Sequence, residues 1–257
     1  MKQYKKNYEL KNAAKDKLDG KYGGAVLITF LSALISGAAQ LFINTIASST
    51  MDTMYFRTGS RSAAVGISFV FDLVLLAASI ILGVMNAGIT LYFLNIACGQ
   101  PFGTGNLLYG FRTDSSKILT IAGAMIVCRA VCLWPSQYLL QKYLASKEGV
   151  WMLAAGIALA VGLCIYIPVS LGIAMSFYLM FDFPQYSGRE TLSLCWRVMK
   201  GQRVRLFSLE LSFLPLWLLC ILSFGIGFLW LEPYMQMTYT YFFLDLMNPK
   251  EIPAPAR

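Results

Sequence analysis

Apolar residues fall in long unbroken runs separated by short polar, charged or glycine-rich stretches. Runs at roughly 24–49, 66–98, 117–140 and 150–181 each exceed the about 20 residues that a helix needs to cross a hydrocarbon core of about 30 Å. A last apolar stretch, 206–247, is too long for one crossing, and the SFGIG sequence at Ser223–Gly227 offers a flexible break. It reads as two spans, roughly 206–222 and 228–247. The pattern predicts an all-α, polytopic membrane protein of six spans between a charged segment, 1–23, and a short tail, 248–257. Five spans, with the C-terminus outside, is the competing count. Between the first two runs, STMDTMYFRTGSRSAA reads as a polar loop. As a helix of about 50 Å, the second run must tilt or project from the bilayer. Pro135 and Pro168 predict kinks in the third and fourth spans.

Two further stretches show helical spacing on one face only. Leu10, Ala14 and Leu18 recur every four residues among seven lysines, and Gly20 is a stop. This predicts a short amphipathic helix on the membrane surface. A signal peptide fits less well, because both its charged and its apolar parts would be too long. Further on, Ser187 and Glu190 have capping-box spacing. Leu192, Cys195, Trp196 and Met199 then form one stripe, and Gly201 ends it. The reading is an interfacial helix over 187–200, with Trp196 at headgroup depth and Arg197 and Lys200 facing water or lipid phosphate. Together with Arg203 and Arg205, at the inner end of the fifth span, these are candidate contacts for anionic lipid or a partner.

Composition agrees with the pattern. The chain has 257 residues, 57% hydrophobic and 13% charged, where a soluble domain carries about 25% charged residues. Its mean hydropathy is +0.60. The net charge of +8 would point to nucleic acid on a soluble fold. Here the cations sit in short blocks beside apolar runs, so they read as an orientation signal, and no nucleic-acid partner is expected. With the N-terminus inside, sixteen Lys and Arg residues lie in cytoplasmic segments and four (Arg57, Arg61, Lys142, Lys147) outside. That positive-inside bias places both termini in the cytoplasm of a cell membrane.

The chain contains no histidine, which removes His-based triads, His metal sites, His-ligated haem and a His pH switch. Six cysteines occur, never as C-x-x-C. Cys128 and Cys132 share a helix face, yet all six read as small apolar side chains. No phosphate loop, metal-ligand cluster or nucleophile motif is present. No enzyme, cofactor, metal or catalytic residue is expected.

Charges inside spans are the remaining candidates, since each costs about 2.5–3.5 kcal/mol at midspan. Asp72, Arg129 and Glu232 each lie roughly 8–12 Å below the external surface by residue counting. If their helices face one another, they form one buried cluster. Glu210 lies about 8 Å past Arg205 along its helix, where hydration at headgroup level or a basic neighbour accounts for it. The sixth span carries Tyr234, Gln236, Thr238, Tyr239, Thr240 and Tyr241. These residues either line a cavity or form interhelical hydrogen bonds and an aromatic belt. Glu210 and Tyr234 are secondary site candidates. Ala154, Ala158 and Gly162 form a small-residue face for tight helix packing.

Several segments resemble a bacterial membrane family, mainly from Gram-positive organisms, catalogued as domain of unknown function 975. They are the lysine-rich LKNAAKDKLDGKYG, a proline-bearing fourth span, RVMKGQRVRLFSLELSF, LSFGIGFLWLEPY and TYTYFFLDL. The chain departs from the family pattern at SFLPLW, where members show Gly before Trp, and at IPVSLG, which replaces a Pro-Gly step. Both departures bear on local helix geometry, at Pro215 and Pro168. The resemblance implies a fold and a compartment, and no established activity. Two classes of function follow as expectations. One is transport or export of a small amphiphile or peptide, or an accessory role in export. The other is a non-transporting immunity, envelope-stress or membrane-protein assembly factor. In both the bilayer is a partner, and the chain is compatible with a homo-oligomer or a membrane-protein partner.

The topology has a direct check. A reporter enzyme active only outside the membrane, fused after Arg257, should be silent. Activity there would mean five spans and no reversal at Gly225.

Overall fold

A computed structural model describes residues 2–58, 61–112, 115–247 and 250–251, apart from some helical side chains, that of Asp72 among them. Strand β1 (Lys2–Gln3) precedes helices α1 (Asn7–Leu18), α2 (Tyr22–Thr58) and α3 (Arg61–Cys98). A 3-10 turn (Thr104–Leu108) leads into α4 (Tyr109–Arg112) and α5 (Ser115–Ser146). Then come α6 (Gly149–Ile173), α7 (Ser176–Asp182), α8 (Gly188–Val198), α9 (Arg203–Leu211), α10 (Leu214–Leu222) and α11 (Phe228–Met247). Strand β2 (Lys250–Glu251) closes the chain by pairing antiparallel with β1, Lys2 opposite Glu251 and Gln3 opposite Lys250.

Five helical stretches are long and apolar enough to cross a membrane: Tyr22–Thr50, Leu73–Cys98, Ser115–Tyr143, Gly149–Asp182 and Arg203–Leu222. Their outer faces are apolar. On α6, Leu153 and Ile157 are 72% and 66% exposed, an arrangement suited to lipid rather than water. The chain is a polytopic helical membrane protein. Helix α11, the sixth expected span, lies in the interior of the helix bundle. Ten of its twenty residues are buried, and it packs against α1, α2, α3 and α10. Polar Thr238, Thr240 and Asp245 are buried on it.

Two expectations need correction. The described residues of the stretch read as a polar loop are helical: α2 continues to Thr58 and α3 begins at Arg61, so both helices run past their apolar windows. Local propensity there permits helix, and nothing in MDTMYFRT breaks it. Secondly, the apolar stripe of α1 does not face lipid. Leu10, Ala14 and Leu18 are fully buried, in clusters with Phe213 and Phe242 at one end and with Tyr92, Phe93 and Met237 at the other. The same amphipathic pattern serves a membrane interface or a protein groove, and the groove beside α11 captures it.

Breaks and turns follow the glycines and prolines. At the SFGIG turn, Gly225 has φ +87° and its N–H donates to the Cys220 carbonyl (2.9 Å). The Gly227 N–H donates to Ser223 Oγ (3.0 Å). The helix continues through Pro135 and Pro168. Interruptions fall elsewhere, at Ala174–Met175 between α6 and α7, a few residues after Pro168, and at Ser212–Phe213 between α9 and α10, just before Pro215. Pro215 sits in the first turn of α10, where its missing N–H removes no helical bond.

Helices α5 and α6 form an intimate pair. A Cβ on Gly162 would stand 2.3 Å from the Cys132 carbonyl oxygen, a backbone atom that cannot turn aside. Gly162→Ala should therefore lower stability by about 1–3 kcal/mol, read as a lower thermal unfolding midpoint in detergent. Gly156→Ala, with nothing within 4 Å of the new methyl, should not lower it.

Candidate functional site

The site begins with a buried charge pair. Arg205 of α9 pairs with Asp245 of α11, whose side chain is 3% exposed. Arg205 also donates to the Lys5 carbonyl (3.0 Å), while the Lys5 N–H donates to both Asp245 oxygens (3.3 and 3.1 Å). The guanidinium lies over the rings of Phe242 (4.7 Å) and Tyr4 (4.9 Å). Beyond this knot, α1 runs alongside α9. Asn7 Nδ2 donates to Ser208 Oγ (3.1 Å), and one turn on Lys11 Nζ donates to the Ser212 carbonyl (2.7 Å). That carbonyl lies at the α9–α10 interruption, where helix ends leave acceptors unsatisfied. Lys11 also sits 3.9 Å above the Phe213 ring, and burial pushes its ammonium below the usual lysine range.

With α9 held this way, Glu210 lines a cavity of about 350 Å³ among α3, α5, α6, α7, α9 and α11. Its polar wall is Asn86, Thr90, Tyr166, Ser170, Gln236 and Tyr239. The remainder is apolar, with Met125, Ile173, Phe177 and Leu206. Both helix interruptions border it: Ala174 and Met175 are in the wall, and Glu210 lies two residues before the other break. Among the described residues the Glu210 carboxylate, on an exposed residue, has no hydrogen-bond or ion-pair partner. A second cavity, about 400 Å³, is lined by Thr29, Ser32 and Ser36 of α2 and by Glu232. Asn86 and Gln236 line both cavities, and Gln236 Nε2 donates to Glu232 Oε1 (3.1 Å). Tyr239 stands within electrostatic reach of Glu210 and Glu232.

Of the cluster expected from Asp72, Arg129 and Glu232, the structure forms no ion pair between Arg129 and Glu232. Arg129 is exposed and makes no hydrogen bond or ion pair among the described residues, with Tyr166 inside its electrostatic reach. Glu232 bonds along its own helix to Gln236 instead. The Asp72 side chain lies outside the described residues. Equal depth by residue counting did not bring Arg129 and Glu232 together, because counting fixes height and not rotation about each helix axis. The four cations also divide. Arg197 and Lys200 are exposed on α8, whose capping box forms as read, with Ser187 N–H and Oγ both donating to Glu190 Oε2 (2.8 and 2.9 Å). Those bonds hold the Glu190 carboxyl below its usual range. Arg203 stacks on Trp196 at 3.7 Å, a contact that Gly172 admits because its Cβ would lie 2.6 Å from the indole. Arg205 is inside the fold. Tyr234 packs edge-on against Phe213 (5.5 Å) in the core.

Sequence reasoning ranked Glu210 second and passed over Asn86, Tyr166 and Ser170. The available signal was polar residues inside apolar runs, combined with prolines that announce interrupted spans. Fold and site define a helical membrane protein with polar cavities between its spans, bordered by broken helices. The chain belongs to the family described as Protein of unknown function (DUF975), whose model matches residues 1–250. No curated protein and no solved structure gives a match.

Breaking the buried pair from one side should be severe. Arg205→Met strands Asp245 and should cost about 3–5 kcal/mol. Adding Asp245→Leu should recover most of that, leaving about 1–3 kcal/mol for the Lys5 amide without its acceptor. Thermal unfolding in detergent of the two single variants and the double variant measures both numbers.

Proposed function

We propose that the chain is a six-span protein of the bacterial cell membrane, both termini cytoplasmic, that transports or exports a small amphiphile or peptide. The observation that carries this is the Glu210 cavity, placed where two spans are interrupted. Interrupted spans free backbone carbonyls and N–H groups for ligands, and in secondary transporters binding sites form at such points. Pairing of β1 with β2 supports an even number of crossings, and the lysine and arginine distribution supports the cytoplasmic side. No residue is assigned a catalytic role.

A second reading is a non-transporting factor that recruits anionic lipid or a partner protein. What favours it is the outward presentation of Arg197 and Lys200 on α8 beside the half-exposed Trp196. Basic residues close to an anionic surface contribute about 1 kcal/mol each.

Flux measurements separate the two. Proteoliposomes of the full chain, offered fluorescent amphiphiles and short peptides, should show saturable flux. Ser170→Trp, which fills the cavity, should reduce that flux at least tenfold in a variant of unchanged unfolding midpoint. Flux unaffected by the filled cavity, or none above protein-free vesicles, overturns transport. The recruitment reading instead requires Arg197→Gln with Lys200→Gln to weaken binding of the detergent-solubilised chain to anionic vesicles.

A further inference from the structure

We infer that the Glu210 cavity is a site for an organic ammonium ion, its charged head at Glu210 and its apolar body against Met125, Ile173, Phe177 and Leu206. This deepens the transport reading and rests on the cavity being the substrate site, but binding is measured apart from flux.

The wall selects for positive charge. Glu210 is its carboxylate, no lysine or arginine lines it, and the carboxylate is unpaired among the described residues. Of the two basic side chains on the same helix, Arg203 stacks on Trp196 and Arg205 has its charge matched by Asp245. Arg129 is not in the wall. Tyr166 and Tyr239 line the cavity and both lie within electrostatic reach of Glu210. Tyrosine faces attract cations through the ring quadrupole, most strongly where water is scarce, and aromatic residues beside a charge are a recurrent arrangement for ammonium heads. A primary or secondary ammonium would also find acceptors in Ser170, Thr90 and the side-chain carbonyls of Asn86 and Gln236.

Size and chemistry agree. A cavity of about 350 Å³ suits a compact ligand, since small-molecule sites run about 300–1,000 Å³. The mixture of a few convergent polar groups with an apolar remainder matches an amphiphile with one charged end. An anion would meet Glu210 and gain no cationic partner. An uncharged ligand would leave the carboxylate unpaired.

The probe is radiolabelled benzyltrimethylammonium, titrated by equilibrium dialysis against the full chain in nanodiscs of zwitterionic lipid. Its uncharged isostere neopentylbenzene and the anion benzoate serve as competitors. The expected result is saturable binding at one site per chain, displaced by neither competitor at tenfold excess. Glu210→Gln should raise Kd at least tenfold. Tyr239→Phe should keep Kd within twofold while Tyr239→Leu raises it several-fold, because the ring face matters and the hydroxyl does not. Glu232→Gln, in the neighbouring cavity, should keep Kd within twofold. If Glu210→Gln lowers the unfolding midpoint, the two Tyr239 variants decide. No saturable binding, equal displacement by neopentylbenzene, undiminished binding by a folded Glu210→Gln, or loss confined to Glu232→Gln overturns the inference. Binding that behaves as expected, without flux in proteoliposomes, overturns transport and leaves the ammonium site standing.

Discussion

A guanidinium and a carboxylate meet in the interior at Arg205 and Asp245, and much of the architecture follows from the need to satisfy them. Two charges withdrawn from water are tolerated only when each is paired and the remaining donors and acceptors are occupied. The chain meets most of that demand by bringing three distant segments together: α9 with the arginine, α11 with the aspartate, and the backbone of Lys5, which both donates and accepts. Among the described residues only Arg205 Nη1 of the pair stays buried without a hydrogen-bond partner. The N-terminal segment is thereby tied to the last helix, and α1 is laid along α9. The rotation of α9 about its own axis is then set, and with it the direction in which Glu210 points.

The cavity is a consequence of that geometry together with two interruptions. A continuous helix satisfies its own backbone and presents only side chains. A broken one leaves carbonyls and N–H groups that need partners. Lys11 supplies one of these at Ser212. The break between α6 and α7 instead borders the cavity at Ala174 and Met175. Tyr178, just beyond it, lines the cavity and hydrogen-bonds to Thr240 of α11 (3.2 Å), so this part of the wall is also held by a polar contact. The polar stripe of α11 works at several levels: Gln236 between two cavities, Thr240 in the wall bond, and Asp245 in the ion pair.

Much of the fold was legible because a bilayer leaves few options. Every backbone group within it needs a partner, so long apolar runs become helices, and each apolar run is helical, two of them with a short interruption. The capping box at Ser187 and the SFGIG reversal were legible for the same reason: each is a short-range hydrogen-bond pattern set by residues only a few positions apart. Misreadings occurred where a local pattern had two outlets. The stripe Leu10, Ala14, Leu18 fits lipid or protein equally, and the choice belonged to the groove beside α11. MDTMYFRT is polar enough for a loop yet contains nothing that stops a helix.

Amino-acid order alone therefore determined the helical membrane class, the SFGIG reversal and the absence of histidine chemistry, since these depend on composition and on neighbours along the chain. Tertiary structure decided which charges meet. Arg129, Glu210 and Glu232 differ little as residues in apolar runs and all three are exposed, but Arg129 lines neither cavity, Glu210 lines one without a partner, and Glu232 lines the other and bonds along its helix. Helix rotation separates these outcomes. It is fixed by packing between segments as far apart as Lys5 and Asp245, and residue spacing within one helix carries no information about it.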